Sequence, residues 1–301
     1  MRPLTIRGRQ FLWGSRTYVM GVLNITPDSF SGDGLGKGPA NAIGQAAVVQ
    51  AAVEQAKRFA AEGTDILDIG GESSRPGSRP VTAEEEMQRV LPVIAACAEA
   101  VDLPLSVDTS KAAVAAAALD AGASIVNDVW GFKADPQMAG VCAAAGCLVV
   151  LMHNRRTAPE STQSGQLGGY YAGVAYADLI SEIMAELRQS IAIAEQAGVE
   201  ASNIIIDPGL GFAKTAEHNL ELMRQLGTLR ALGYPLLIGP SRKSTIGLVL
   251  GLPVDQRLEG TAALVALGIA HGADIVRVHD VQAMVRVARM SDAVVRGWSR
   301  P

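Results

Sequence analysis

Three features of the sequence predict an α/β fold, a (β/α)8 TIM barrel with a short N-terminal hairpin and long loops after strands one and two. Eight short apolar runs alternate with helix-like stretches over 301 residues, the repeat count of a closed eight-stranded barrel. The runs are apolar throughout, as in a parallel sheet buried on both faces. Nearly every potentially reactive side chain lies at the C-terminal end of a run. A barrel gathers its site there, whereas an open doubly wound sheet uses one switch point. No linker or low-complexity stretch divides residues 1–301, which read as one domain.

The elements follow in order. Residues 4–6 and 11–13 flank a turn at Gly8 and form the hairpin. Strand one, 18–23, carries Val19, Met20, Val22 and Leu23, then breaks into a Gly-rich loop reaching about residue 39. A loop this long inside a compact domain is usually functional. Helix one, 40–62, stops at Gly63, and strand two, 65–69, opens the loop 70–80. Thr82 and Glu85 make a T-x-x-E helix start. Met87, Val90, Leu91 and Ile94 then repeat at helical spacing, and Pro92 predicts a kink. Strand three (105–107), helix three (111–120), strand four (124–127), helix four (136–145) and strand five (147–152) follow. Residues 154–175 are polar and Gly-rich without a period. Helix five, 176–197, is amphipathic through Leu179, Ile180, Ile183, Leu187, Ile191 and Ala194. Strand six (203–206), helix six (216–226), strand seven (235–239), helices at 245–250 and 256–271, and strand eight (274–278) complete the pattern. The last helix turns Val281, Met284, Val285, Ala288, Val295 and Trp298 inward.

Composition narrows the function. The net charge is −4 and aromatics make up 4% of the chain, which argues against a basic nucleic-acid surface and against base-stacking platforms. The cysteines Cys97, Cys142 and Cys147 form no C-x-x-C pair and read as small buried hydrophobes in a reducing compartment. The N-terminus lacks the apolar core of a secretory signal, and no apolar run reaches the ~18 residues of a membrane span. The expectation is a soluble, cytoplasmic protein.

The strand ends carry the chemistry. Asn24 follows strand one and is equally a turn former. Asp68, inside ILDIGG, reads as a barrel-interior residue with a structural partner. Asp108 and Asn127 end their strands; the Asp108-Thr109-Ser110 cluster is also a good helix N-cap. Asp128 points opposite to Asn127 and reads as structural. In DPGLGF (207–212), Gly209 and Gly211 let the backbone pass close to a ligand, and Asp207 could accept two parallel N–H bonds from an amino-pyrimidinone edge. Phe212 is a ligand wall or a core residue. In GPSRKS (239–244) a helix start joins Ser244 to the cations Arg242 and Lys243. Arg277 and His279 alternate on the last strand and share a face. Together these cations could hold a diphosphate or stabilise it as it leaves. No Walker loop, G-x-S-x-G elbow or H-E-x-x-H motif is present. Only His153 and His279 sit at strand ends, too few for a zinc set, whereas Mg2+ needs few protein oxygens when phosphate supplies the rest.

These motifs, MGVLNITPDSFS, DIGGESSRPG, SVDTSK, NDVWGF, LMH, DPGLGF, GPSRKS and RVHDV, resemble in content and order the dihydropteroate synthase family. The resemblance runs from Met20 to the last helix. It implies a (β/α)8 homodimer that joins p-aminobenzoate to (7,8-dihydropterin-6-yl)methyl diphosphate, with Mg2+, and releases pyrophosphate. By that resemblance Asp108, Asn127, Asp207 and Lys243 hold the pterin, with Met152 and Phe212 as apolar packing. Asn24 binds Mg2+ with the diphosphate, and Arg277 and His279 contact the diphosphate. Ser244 takes the aminobenzoate carboxylate. Loops bearing Phe30 and Ser74-Arg75-Pro76 close over its ring. The catalytic set is Asp108, Lys243 and Arg277.

The chain departs from the family pattern in three places. The first loop reads FSGDGLG where FSDGG is common, displacing the acidic residue to Asp33 and leaving its reach to the metal open. Ser74 stands for the more usual Thr, and residues 154–175 differ after LMH. Two other readings share part of the pattern. One is a methyltetrahydrofolate:corrinoid methyltransferase domain, which has no use for the SRK and RVHD cations. The other is a non-catalytic pterin-binding paralogue.

Overall fold

The computed structural model describes residues 3–26, 44–73, 80–155, 161–164, 168–171 and 175–298. Its strands are β1 (Leu4–Ile6), β2 (Arg9–Phe11), β3 (Tyr18–Asn24), β4 (Ile66–Gly70), β5 (Leu105–Asp108), β6 (Ile125–Asp128), β7 (Leu148–Met152), β8 (Ser161–Ser164), β9 (Gly168–Tyr171), β10 (Ile204–Asp207), β11 (Leu237–Ile238) and β12 (Ile275–Val278). The helices are α1 (Gln45–Glu62), α2 (Ala83–Ala100), α3 (Ala112–Asp120), α4 (Met138–Ala145), α5 (Leu179–Gln196), α6 (Ala216–Arg224), α7 (Ser244–Leu250), α8 (Leu258–Ala270) and α9 (Val281–Val295).

Eight strands form one parallel sheet in the order β10-β7-β6-β5-β4-β3-β12-β11. Its two ends meet through a parallel bridge between Ile206 and Leu236, so the sheet closes into the expected barrel. Each strand sends alternate side chains inward and outward. The outward set packs under the helices, with Leu67, Val107, Val126, Val149, Ile206 and Val276 in the larger core. The inward set is apolar at the lower end, where Met20, Ile66, Ile125, Val150, Ile205 and Ile275 pack with Phe11 and Tyr18. Each such side chain contributes roughly 1.5–3 kcal/mol. The β1–β2 hairpin thus closes the N-terminal end of the barrel with an aromatic plug, Phe11 lying 4.7 Å from Tyr18 between ring centroids. Toward the C-terminal end the same inward rows turn polar. Ile66 gives way to Asp68, Ile125 to Asn127, Ile205 to Asp207 and Ile275 to Arg277. The rows that fill the barrel therefore also build its site.

The helices start and stop where side chains serve their open backbone groups. Thr82 Oγ1 accepts from Glu85 N–H at 3.2 Å, and Asp178 Oδ1 accepts from Ser181 N–H at 3.0 Å. A reciprocal capping box opens α6 between Thr215 and His218. The helix α2 runs unbroken from Ala83 to Ala100 with Pro92 inside it.

The structure corrects several boundaries. Strand seven shrinks to Leu237–Ile238, and helix one is described only from Gln45. Residues 154–175, read as irregular, include the antiparallel pair β8–β9, with Ser161 opposite Tyr171. Gly and polar residues gave that hairpin no apolar alternation to read. Val295 and Trp298 do not face inward; they are 44% and 70% exposed. The inward stripe of α9 ends instead at Asp292, which accepts from Thr17 N–H at 2.7 Å and Thr17 Oγ1 at 2.8 Å.

Candidate active site

The polar ends of the inward rows converge at the C-terminal mouth. Asp108 on β5 lies in register with Asn127 on β6, and Asp207 on β10 lies in register with Met152 on β7. Asp68, fully buried, links three of these rows. Its Oδ2 accepts from Arg277 Nε at 2.5 Å and from Asn127 Nδ2 at 3.2 Å. Arg277 also donates through Nη2 to Asp108 Oδ2 at 2.7 Å. The structural partner expected for Asp68 is therefore Arg277, and Asp68 proves to be part of the site.

Burial sets the electrostatics. It pushes the Asp108 carboxyl up to about 7 against the pull of Arg277, with Asp68, Glu86 and Asp128 adding repulsion. Burial also opposes the Arg277 charge, but Asp68 and Asp108 outweigh it and raise that residue above its ordinary value. Asp207 is pushed up to about 6 by burial, while the Gly209 N–H, Lys243, Lys214 and Arg277 pull the other way. Its Oδ1 accepts from Gly209 N–H at 2.7 Å, which fixes the carboxylate plane.

Lys243 Nζ lies 4.3 Å from the Phe212 ring centroid, a cation–π contact that joins the β11 loop to the β10 loop. Phe212 and Met152 are buried, at 7% and 3% exposure. Gly211 is needed where it stands: with φ +76, a Cβ there would come within 2.9 Å of Lys243 Cδ. The close approach anticipated for this glycine is thus to the lysine chain. Ser244 is the first residue of α7, as expected from GPSRKS. His279 lies beside Ser241, its Nδ1 2.9 Å from Ser241 Oγ. Arg242 is engaged by Asp280 through two bonds of 3.0 and 2.7 Å. Asn24 and His279 line a common cleft of about 500 Å3 beside the mouth, together with Arg242 and Asp280. Asp128 is structural, as expected, holding the Trp130 and Phe132 N–H groups at 2.8 Å each.

Phe30, Asp33, Ser74, Arg75 and Pro76 lie outside the described residues. Among the described residues, no group of three or more His, Cys, Asp or Glu side chains could hold a metal ion. No helix among them is long and apolar enough to cross a membrane.

A family profile described as "Pterin binding enzyme" matches residues 20–279, most of the chain. The chain belongs to the pterin-binding enzyme family. A relative, the dihydropteroate synthase of Clostridium beijerinckii, is 47% identical over 97% of this chain and 100% of its own length. A solved dihydropteroate synthase of Xanthomonas albilineans with 4-aminobenzoic acid superposes with a TM-score of 0.83 at 40% identity, covering 97% of each chain. The same organism's enzyme in complex with 7,8-dihydropteroate gives 0.81 at 38% identity, covering 97% of this chain and 98% of its own. The expected fold is confirmed by this likeness, and the expected dihydropteroate synthase family by the profile together with these relatives.

Sequence reasoning missed a further group behind the Asp207 loop: Lys214, His153 and Glu186. The signal was the cation in DPGLGFAK, set in a loop otherwise built of apolar residues and glycine.

Proposed function

We propose that this chain condenses p-aminobenzoate with (7,8-dihydropterin-6-yl)methyl diphosphate, giving 7,8-dihydropteroate and pyrophosphate. The observation that carries the reading is the inward ring of Asp108, Asn127 and Asp207, flanked by Lys243 and Arg277, in a chain 47% identical to a dihydropteroate synthase over nearly its whole length. Buried carboxylates suit the donor-rich edge of a pterin, and a neutral amide beside them can serve its mixed donors and acceptors. Met152 and Phe212 supply apolar walls, and Lys243 holds the ring from the next loop. Arg277 and His279 meet the diphosphate, and Ser244 at the α7 start takes the aminobenzoate carboxylate. Phe30 and Ser74-Arg75-Pro76 close the aminobenzoate side.

The reaction is a dissociative substitution. As the C–O bond breaks, Arg277 stabilises charge gathering on the departing diphosphate. The ionised form of Asp108 stabilises the pterin cation left behind. The uncharged aniline nitrogen then attacks, so no strong general base is required. Mg2+ fits the donor set: Asn24 offers one amide oxygen at the cleft shared with His279, and such an ion needs few protein oxygens when diphosphate and water supply the rest. When bound, the ion would neutralise diphosphate charge. The cations Arg277 and Lys243, with His279 beside them, favour this reaction over methyl transfer to a corrinoid.

We place the enzyme in the cytoplasm as a homodimer. Its three cysteines are free and buried, which suits a reducing compartment. Exposed apolar side chains cluster on the C-terminal helices: Val249 at 58%, Leu267 at 52%, Met290 at 66% and Val294 at 74%. These support pairing through α7–α9.

Incubation with the pterin diphosphate and labelled p-aminobenzoate, with Mg2+ and with chelator, tests the reading. Metal-dependent formation of dihydropteroate and pyrophosphate is expected. Pterin binding without product would return the non-catalytic reading.

A further inference from the structure

A closed circuit of polar side chains stands behind the Asp207 loop. Lys214 is 3% exposed. Its Nζ lies 2.9 Å from His153 Nδ1 and donates to the carbonyls of Gly209 and Phe212 at 3.1 Å each. An ammonium has three donors, whereas a neutral amine has two N–H groups. In its charged form Lys214 can therefore serve all three contacts. Burial pulls Lys214 down to about 7, and the carboxylates of Asp207 and Glu186 oppose that pull. His153, fully buried, meets Lys214 at Nδ1, and its Nε2 lies 3.2 Å from Glu186 Oε2. Glu186 Oε1 accepts from Arg155 Nε at 2.7 Å. The Arg155 guanidinium lies 4.4 Å from the Tyr176 ring centroid. The Tyr176 hydroxyl donates to the Ala213 carbonyl at 3.3 Å, and the circuit has returned to the neighbour of Lys214.

Two features give this circuit a purpose beyond packing. Gly209 stands between the circuit and the site: its N–H orients Asp207, and its carbonyl is held by Lys214. Ala213 holds φ at +50°, a left-handed conformation that non-glycine residues rarely adopt. The contacts of Lys214 and Tyr176 on either side keep it there.

We propose that Lys214 is a positioning residue for pterin recognition: it fixes the loop that carries Asp207 and, when protonated, sets a positive charge in the field of that carboxylate. The proposal rests on Asp207 being the pterin's partner. Asp207 also faces Lys243 from the β11 loop and Arg277 from β12. Lys214 faces Asp207, Glu186, Arg155 and Lys243. Loss of its charge leaves the Gly209 N–H, Lys243 and Arg277 to keep Asp207 ionised, and leaves buried acceptors unpaired.

The test is the affinity of 6-hydroxymethylpterin, which carries no phosphate to titrate, measured by calorimetry from pH 5 to 7.5. Wild type, Lys214→Arg, Lys214→Met and Asp207→Asn are compared as full chains, each checked for folding by circular dichroism. Lys214→Met is expected to weaken binding about tenfold and to move its loss on acidification upward by about half a pH unit or more. Lys214→Arg, still charged, is expected to keep the wild-type acid limb. A folded Lys214→Met with wild-type affinity and an unmoved acid limb overturns the proposal. Should that variant fail to fold, Lys214→Gln, neutral but still a donor, carries the same expectation and the same refutation. Asp207→Asn binding as tightly as wild type would instead overturn the reading of Asp207 on which the proposal stands.

Discussion

Arg277 and Asp68 meet inside the barrel at 2.5 Å, Nε on Oδ2, and the same guanidinium reaches Asp108 at 2.7 Å. One cation thus restrains two carboxylates that would otherwise repel, and Asp68 also holds Asn127. Asp68→Ala is expected to cost about 1–3 kcal/mol of stability by leaving donors of Arg277 and Asn127 unmatched. It should also weaken pterin binding although Asp68 itself is buried. Urea unfolding with pterin titration checks both.

Arg277→Ala should lower turnover at least about tenfold while lowering aminobenzoate affinity, measured with pyrophosphate present, much less. Equal losses would make Arg277 a binding residue only. The variant should also push Asp108 further up, because Asp68 remains beside it without the shared cation.

His153 gives stability a pH signature. Burial first, then the Lys214 and Lys133 cations, hold it down to about 4 from 6.5, against the pull of Glu186. Between those values the unfolded chain binds more protons than the folded one, so stability rises with pH through that window and levels above it. His153→Gln should flatten this rise. The stability difference between wild type and variant, measured by urea midpoint at pH 4.5 and 7, is expected to shrink at the lower pH.

Gly209 has φ +71 and no room for a side chain, since a Cβ would stand 2.0 Å from the His153 carbonyl oxygen. Gly209→Ala should cost more than about 3 kcal/mol and displace Asp207. An unchanged melting temperature would contradict that.

If α7–α9 pair two subunits, Leu267→Glu with Val294→Lys should give monomers by analytical ultracentrifugation with unaltered far-ultraviolet dichroism. Persistence of the wild-type mass would remove this surface from the interface.

Much of this was legible in the residues themselves. The alternation of apolar runs and helices gave the barrel, and the polar ends of the runs gave Asp108, Asn127, Asp207 and Arg277. Parity along β6 separated Asn127, facing in, from Asp128, facing out. Other features were hidden because they depend on neighbours distant in sequence. Asp68 and Arg277 are 209 residues apart. Lys214 meets His153 across 61 residues, and an isolated lysine in a loop looks like a solvated charge until the packing around it is known. The exposed tail of α9 was misread because an apolar stripe at helical spacing does not say whether its last turn has a wall to face.

The barrel has a seam. Most neighbouring strands share four or five register pairs, as β3 and β4 do, but β10 and β11 are joined by the Ile206–Leu236 bridge and the Ile206 N–H bond to the Pro235 carbonyl. Asp207 leaves one side of that seam and Lys243 the loop of the other. A pterin held by both would lie across the join as a stitch. Ligand would then slow amide hydrogen exchange most at the seam itself, in residues it never touches.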